Sequence, residues 1–318
     1  MTQFFTCPID HTPLETDTPD RLVCATCQRS YSRKEGVWHF LTAEQEQHYA
    51  QFIAEYETVR LAEGRGRPEP EWYRSLPYPP ANDPLAEMWR QRAASFEFLL
   101  RTVVEPAESR ALHRQLTDTD HDTADLIPRL DILDLGAGNG WLSNRLAARQ
   151  HRVMAADLTI NRFDGLGCHH HYPHPFTPLR ATFDHLPFPA DSFDLMICNA
   201  SFHYATQYEP LLDELRRIGR PHAEIVISDT PVYQRTTSGQ QMVAERQQRF
   251  QQQHGFPSDS IPSQNFLTYR QIGRLAAHLR TRYTIHQQAS GARRLVRRIK
   301  RTLSRQREAA EFPLIVFK

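Results

Sequence analysis

The chain of 318 residues predicts an α/β fold built on a doubly wound, mostly parallel sheet. Apolar strand-like runs alternate with amphipathic helical runs from about residue 129 onward, which implies parallel strands joined by helical crossovers. A glycine-rich turn, ILDLGAGNGWL over 132–142, follows one such strand and opens a helix. The chain ends on an apolar β-prone run, EFPLIVFK, which after a long excursion suits an antiparallel addition at the edge of the sheet.

Residues 1–40 place Cys7, Cys24 and Cys27 among short β-prone pieces, predicting a small β ribbon. Residues 41–125 read as a helical and proline-rich linker that caps a pocket. LTAEQEQHYAQFIAEYETVRLAEG and DPLAEMWRQRAASFEFLLRTVVEP are its helices, and PEPEWYRSLPYPPANDP is the extended piece between them. Residues 126–318 form the α/β domain. LDILDL, HRVMAAD, SFDLMICN and AEIVISD are its strands, NGWLSNRLAARQ and YEPLLDELRRIG its helices, and GQQMVAERQQRF a lid helix. No solenoid repeat appears.

Forty per cent hydrophobic residues and a formal charge of +1 describe an ordinary globular protein, not a disordered or nucleic-acid-coating one. No apolar run approaches the ~20 residues that span a bilayer. The start, MTQFFTCPIDHTPLE, lacks a basic n-region and an apolar core, so the expected compartment is the cytoplasm. Five cysteines, three of them near the N-terminus, fit metal binding better than a disulfide framework there.

The turn closes as G-x-G-x-G on Gly136, Gly138 and Gly140, one residue shorter than the dinucleotide pattern G-x-G-x-x-G. Asp134 stands just before it and would repel a pyrophosphate at the helix N-terminus. S-adenosylmethionine has no phosphate and carries an ammonium and a sulfonium, which the same acid attracts. Asp157 ends the next strand at the place where a carboxylate accepts hydrogen bonds from ribose hydroxyls.

With LPFPADSFDLMICNASFHY added downstream, the chain resembles the class I S-adenosylmethionine-dependent methyltransferases of the type 11 group, over about residues 128–230. The resemblance implies a seven-stranded Rossmann-like sheet, with Asp134, Gly136, Gly138 and Gly140 lining the methionine and ribose side and Asp157 holding the ribose. Relatives place an aspartate four residues before the leucine of L-P-F to bind the adenine. That position is Thr182 here, so the adenine contact falls either to Thr182 with Phe183 or to Asp184.

Methyl transfer from a sulfonium is an in-line displacement, in which the protein mainly orients the partners and excludes water. Asn199, His203 and Tyr204 follow the fourth strand and face the transferring methyl group. His203 has a pKa suited to a general base, or else it caps the next helix. Tyr233, after the fifth strand, is the expected substrate contact. The histidine-rich GCHHHYPHPF over 167–176 reads as an exposed flap, since consecutive histidines point in different directions.

At the N-terminus Cys7, Asp10, Cys24 and Cys27 form C-x₂-D…C-x₂-C, a zinc-ribbon pattern with one thiolate replaced by a carboxylate. Either these residues hold Zn2+ or the ribbon has lost its metal and rests on Tyr31, Val37, Trp38 and Phe40. The segment resembles the short zinc ribbons ahead of some methyltransferases, including ribosomal RNA guanine methyltransferases. GARRLVRRIKRTLSRQR over 291–307 carries an apolar stripe (Leu295, Val296, Ile299, Leu303) among arginines, a pattern for RNA phosphates, a lipid surface or a solvated helix. Three functions follow: methyl transfer to a small-molecule or lipid-like acceptor, methyl transfer to RNA through the ribbon and basic helix, or a non-catalytic S-adenosylmethionine-binding scaffold.

Overall fold

The computed structural model describes residues 5–118, 129–288 and 307–318. The basic stretch 291–306 lies outside the described residues.

The N-terminal segment is a meander of four antiparallel strands, β1 (Leu14–Thr18), β2 (Arg21–Cys24), β3 (Ser30–Lys34) and β4 (Val37–His39). Helix α1 (Ala43–Ala62) follows, started by a capping box in which Thr42 accepts from the Gln45 backbone and Gln45 reaches back to the Thr42 N–H. The cap continues with α2 (Pro70–Ser75) and α3 (Ala86–Leu99). A π-helical turn at Leu100–Val104 carries α3 into α4 (Glu105–Asp118), so the helix expected to stop at Glu105–Pro106 runs on.

The second part alternates as expected: β5 (Asp131–Leu135), α5 (Trp141–Ala147), β6 (Arg152–Asp157), β7 (Thr177–Arg180), β8 (Phe193–Asn199), α6 (Tyr208–Ile218) and β9 (Gly219–Ser228). Then come β10 (Val232–Tyr233), α7 (Thr236–His254), β11 (Leu267–Thr268), α8 (Tyr269–Leu279), β12 (Tyr283–His286) and β13 (Leu314–Phe317). The lid helix expected from GQQMVAERQQRF is α7.

The sheet order is β1-β2-β3-β4-β7-β6-β5-β8-β9-β13-β12. It has eleven strands where seven were expected, because the ribbon does not stand apart. Strand β4 pairs in parallel with β7, Trp38 opposite Leu179 and His39 opposite Arg180, and so covers an edge that would otherwise be open. The C-terminal run is antiparallel, as predicted, but it is not the edge. Strand β13 lies between β9 and β12, bonded to both.

The strands β5, β6 and β8 are buried on both faces, so they read as continuous apolar runs. Alternate residues still serve opposite layers. Leu133, Leu135, Met196 and Cys198 pack with α6 and α8. Ile132, Leu195, Ile197, Val226 and Val316 pack against the cap and α5 through Trp89, Phe96, Trp141 and Leu142. Helix α6 lays Tyr208, Leu211, Leu212, Leu215 and Ile218 on the first layer, a spacing that puts all five on one helical face. Among the described residues no helix is long and apolar enough to cross a membrane.

Candidate active site

The carboxyl ends of β5, β6 and β8 open into a cavity of about 1400 Å³, part of it continuous with solvent. Its floor is the glycine turn: Asp134, Gly136, Ala137, Gly138 and Asn139 all line it. Gly136, Gly138 and Gly140 have φ of +74°, +56° and +83°, a region in which L side chains are strained. The reasons for glycine differ at each position. A Cβ on Gly136 would stand 2.2 Å from the Cβ of Ser201, whose hydroxyl donates to the Leu135 carbonyl. A Cβ on Gly138 would meet nothing closer than the Asp164 carbonyl at 3.8 Å, leaving room for a ligand. Gly140 lies outside the cavity wall; a Cβ there would strike the ring of Phe176 at 2.6 Å. Gly140 therefore serves packing and the start of α5, and it is not among the residues that line the cavity. Gly136→Ala is expected to lower the melting temperature by several degrees and to weaken S-adenosylmethionine at least about tenfold, because φ strain and the Ser201 clash coincide. Thermal denaturation and calorimetry check both, and unchanged values would remove the steric reading.

Two acids meet at the turn. Asp134 is 1% exposed and accepts a hydrogen bond from Ser143 Oγ at 2.6 Å. Burial first, and then the charge of Asp157, push its carboxyl up to about 7, against the pull of Ser143. Asp157 accepts from the Gly138 N–H at 2.8 Å and from the Thr159 backbone and hydroxyl at 2.8 and 2.7 Å, so it fixes the turn as well as facing the cavity. Burial raises its pKa and these donors lower it. A third acid, Asp164, was missed in the sequence; it lines the cavity and takes Arg60 Nε at 2.6 Å.

The residues of the two adenine alternatives are placed differently. Phe183 and Asp184 line the cavity. Thr182 is 2% exposed and is not part of the wall. His185, 3.0 Å from Asp184, holds that carboxyl below its usual range.

At and just after the end of β8, Asn199 and Tyr204 line the cavity, and Asn199 Oδ1 is held by the Ser228 hydroxyl at 2.8 Å. His203 turns away. Its ring is buried against Thr230, with Nδ1 3.4 Å from the hydroxyl, and burial depresses it to about 3. A ring so reluctant to take a proton is a poor base at neutral pH, and of the two neighbours only Tyr204 lines the cavity. Tyr233 is 1% exposed, packed edge-on against Phe266, and off the cavity wall; it is a structural residue of the short β10–β11 pair.

The opposite wall comes from the cap. Tyr49, Phe52 and Tyr56 of α1 face the cavity with Tyr204, whose ring lies 6.2 Å from Phe52 and 6.1 Å from Tyr56. Arg60, Arg65, Arg92, Trp89 and Trp141 continue this wall. Tyr49, Phe52, Tyr56 and Arg60 were not picked out from the sequence, although they fall on one helical face at i, i+3, i+7 and i+11.

The histidine-rich segment is not a loose flap. It forms a 3₁₀ turn, Leu166–His171, with Cys168 buried, His171 stacked on Tyr73 at 4.5 Å, and His169 seated against Gly36 of the ribbon. The other cluster does gather ligands. One donor atom from each of Cys7, Asp10, Cys24 and Cys27 lies within 4.8 Å of the others, and no second such group occurs among the described residues.

Comparison with known proteins agrees with this geometry. Residues 133–227 match the family described as "Methyltransferase domain". A malonyl-[acyl-carrier protein] O-methyltransferase of Erwinia pyrifoliae is 29% identical over 142 residues, 43% of this chain and 50% of the relative. The chain thus matches about half the length of that protein. Among solved structures, a 1,6-didemethyltoxoflavin-N1-methyltransferase of Burkholderia thailandensis, with bound S-adenosylhomocysteine, gives a TM-score of 0.44 at 14% identity, covering 96% of this chain and 98% of that one. The YcgJ protein of Bacillus subtilis gives 0.44 at 14% identity, covering 66% and 97%. The family match, the glycine turn and its acidic pair together identify residues 133–227 as a methyltransferase domain that uses S-adenosylmethionine.

Proposed function

We propose that the protein transfers the methyl group of S-adenosylmethionine to a small or amphiphilic acceptor. The observation that carries this reading is one cavity lined both by the cofactor set (Asp134, Gly136, Gly138, Asp157, Phe183, Asp184) and by an aromatic wall with Asn199 and Tyr204. The cofactor supplies an electrophilic methyl on a sulfonium. The chain's own residues bind and orient. Asp157 and the turn hold the nucleoside end, Phe183 and Asp184 the base, and Asp134 attracts the cationic amino-acid end. Tyr204 and Asn199 present the acceptor at the carboxyl end of β8, and the α1 rings exclude water from it. Enclosure by α1 and α3 favours an acceptor that enters the cavity over a folded RNA that docks outside it.

The ribbon is read as a structural Zn2+ site held by Cys7, Asp10, Cys24 and Cys27. A tetrahedral zinc with bonds of about 2.3 Å to sulfur and 2.0 Å to oxygen requires S···S edges of about 3.8 Å and S···O edges of about 3.5 Å. Cys7 and Cys27 sulfurs are 3.6 Å apart, and Cys24 Sγ is 3.4 and 3.5 Å from the two Asp10 oxygens. The Tyr31 hydroxyl, 3.2 Å from Cys7 Sγ, supports that ligand from outside the set.

The test is calorimetry with S-adenosylmethionine on the wild type and Asp157→Ala, followed by methyl transfer from labelled cofactor into fractionated extract. Loss of the carboxylate removes both a ribose acceptor and the bond that shapes Gly138, so binding is expected to fall by roughly 100-fold or more. Label is expected in small organic or lipid fractions. Absence of binding in the wild type ends the reading, and label confined to RNA replaces the acceptor class.

A further inference from the structure

The roof of the cavity is held unlike the rest of the fold. Helix α6 buries five apolar side chains in eleven residues, whereas α1 buries Glu55 and Val59 in twenty. No α1 residue belongs to either apolar layer on the sheet. Its stripe of Tyr49, Phe52 and Tyr56 faces the cavity instead, with Arg60 one turn further on. A helix placed in this way completes its burial when something fills the space beneath it.

Polar side chains fasten α1, and they stand on both sides of the cavity. On the side of the glycine turn, the Asp164 carboxylate takes Arg60 Nε at 2.6 Å, and Asn161 Nδ2 donates to Glu57 at 2.8 Å. The loop that offers these partners is stiff, because Asn161 Oδ1 accepts from the N–H groups of Phe163, Asp164 and Gly165. On the side of Tyr204, the buried Glu55 carboxylate takes the Ser260 hydroxyl at 2.9 Å. Ser260 belongs to the segment between α7 and β11, which brings Ile261 to the cavity wall. The same segment is tied to the β8 end, where the Asn265 N–H bonds the His203 carbonyl at 3.1 Å. No residue of α7 itself lines the cavity. Bonds of this kind are weak one at a time, and they can open without dismantling an apolar core.

We infer that α1 is a lid. It shuts over S-adenosylmethionine and the acceptor on three latches, Arg60–Asp164, Glu57–Asn161 and Glu55–Ser260, and it swings out to exchange them. Because the latches stand on both sides, one closure encloses both ligands and excludes water from the transfer. This inference rests on the methyl-transfer reading above, which supplies the ligands.

The test needs no acceptor. Binding of S-adenosylhomocysteine is followed by stopped-flow tryptophan fluorescence, since Trp89 and Trp141 line the cavity, in the wild type, Glu57→Ala and Ser260→Ala. Neither replaced side chain is part of the cavity wall. A latch that holds the lid shut with or without ligand slows entry and exit alike. Each variant is therefore expected to raise the association and dissociation rates together, by about threefold to tenfold, with Kd kept within about twofold. Faster dissociation alone, with Kd weakened in step, overturns the lid and leaves these bonds as supports of the wall. Unchanged rates in both variants overturn it as well. Hydrogen exchange on the wild type covers the case of a variant that fails to fold. In the free protein the amides of α1 should exchange at least about tenfold faster than those of α6, and they should slow on saturation with S-adenosylhomocysteine. Equal protection of the two helices in the free protein overturns the lid. Failure of the wild type to bind S-adenosylhomocysteine is a different result: it removes the methyltransferase reading itself.

Discussion

Asp134→Asn is expected to raise the melting temperature of the cofactor-free protein at pH 8 while weakening S-adenosylmethionine by roughly 10- to 100-fold, the worth of a buried charge-assisted contact. The two effects share one cause. Asp134 is 1% exposed, with the Ser143 hydroxyl as its partner, and burial pushes its carboxyl up to about 7 from 3.8. The folded chain therefore keeps a proton that the unfolded chain releases. Stability from this group is whole below about 4, declines as pH rises from about 4 to about 7, and is flat above that. Ionising such a carboxyl in place costs on the order of 4 kcal/mol at most, and asparagine, which keeps the Ser143 bond, never incurs it. At pH 4 the variant and wild type should melt alike. A cationic ligand reverses the balance by stabilising the carboxylate, so in the wild type its affinity should fall up to about tenfold per pH unit below 7, with proton uptake by the empty site as the competitor. The variant should show no such slope. Calorimetry between pH 5.5 and 8, with melting curves over the same range, reads both. A pH-independent affinity in the wild type would show that Asp134 is ionised already and does not meet the cation.

What the sequence disclosed and what it hid divides along physical lines. The β5 turn was legible because every constraint on it is local: a buried strand, glycines at positive φ and an acid at a fixed offset. Strand β7 was hidden because it is four residues long and contains Pro178, which ordinarily argues against a sheet interior. Strand β12, Tyr283–His286, is short and half-exposed, so its pattern is weak. The joining of the ribbon to the sheet depends on β4 meeting β7 across more than a hundred residues of chain, and no local period encodes such a pairing. Within the site, the choice between His203 and Tyr204 turns on a single residue in a 3₁₀ turn, Phe202–Tyr204, where neighbouring side chains diverge by about a third of a turn. Residue type pointed to the histidine; geometry puts the tyrosine in the cavity.

The largest effect away from the cofactor should come from the ribbon. Purified protein is expected to carry about one zinc per chain, and Cys24→Ser, or stripping with a strong chelator, should lower the melting temperature by roughly 10 °C. A structural zinc contributes most where the fold around it cannot stand alone, and this ribbon is small: its core is Leu14, Leu22, Tyr31, Trp38 and Phe40 with Cys7 and Cys24. The loss should not stop at residue 40. The Thr6 N–H bonds the Pro187 carbonyl at 3.0 Å, Phe5 packs on Phe188 with ring centres 5.9 Å apart, and the Phe40 N–H bonds the Arg180 carbonyl at 2.9 Å. Those contacts brace the segment that presents Phe183 and Asp184 to the cavity, and β7 in turn pairs Arg180 with Asp157. Metal loss should therefore weaken S-adenosylmethionine by several-fold even though no ligand of the metal touches the cavity. Metal analysis, melting curves and calorimetry on wild type and Cys24→Ser read the chain of effects in order. A metal content near zero, with a variant that melts like wild type, would leave the ribbon as a sheet edge held by its own aromatic core. A stoichiometric zinc whose removal left cofactor affinity unchanged would instead show that the β4–β7 ladder bears no strain from the ribbon to the site.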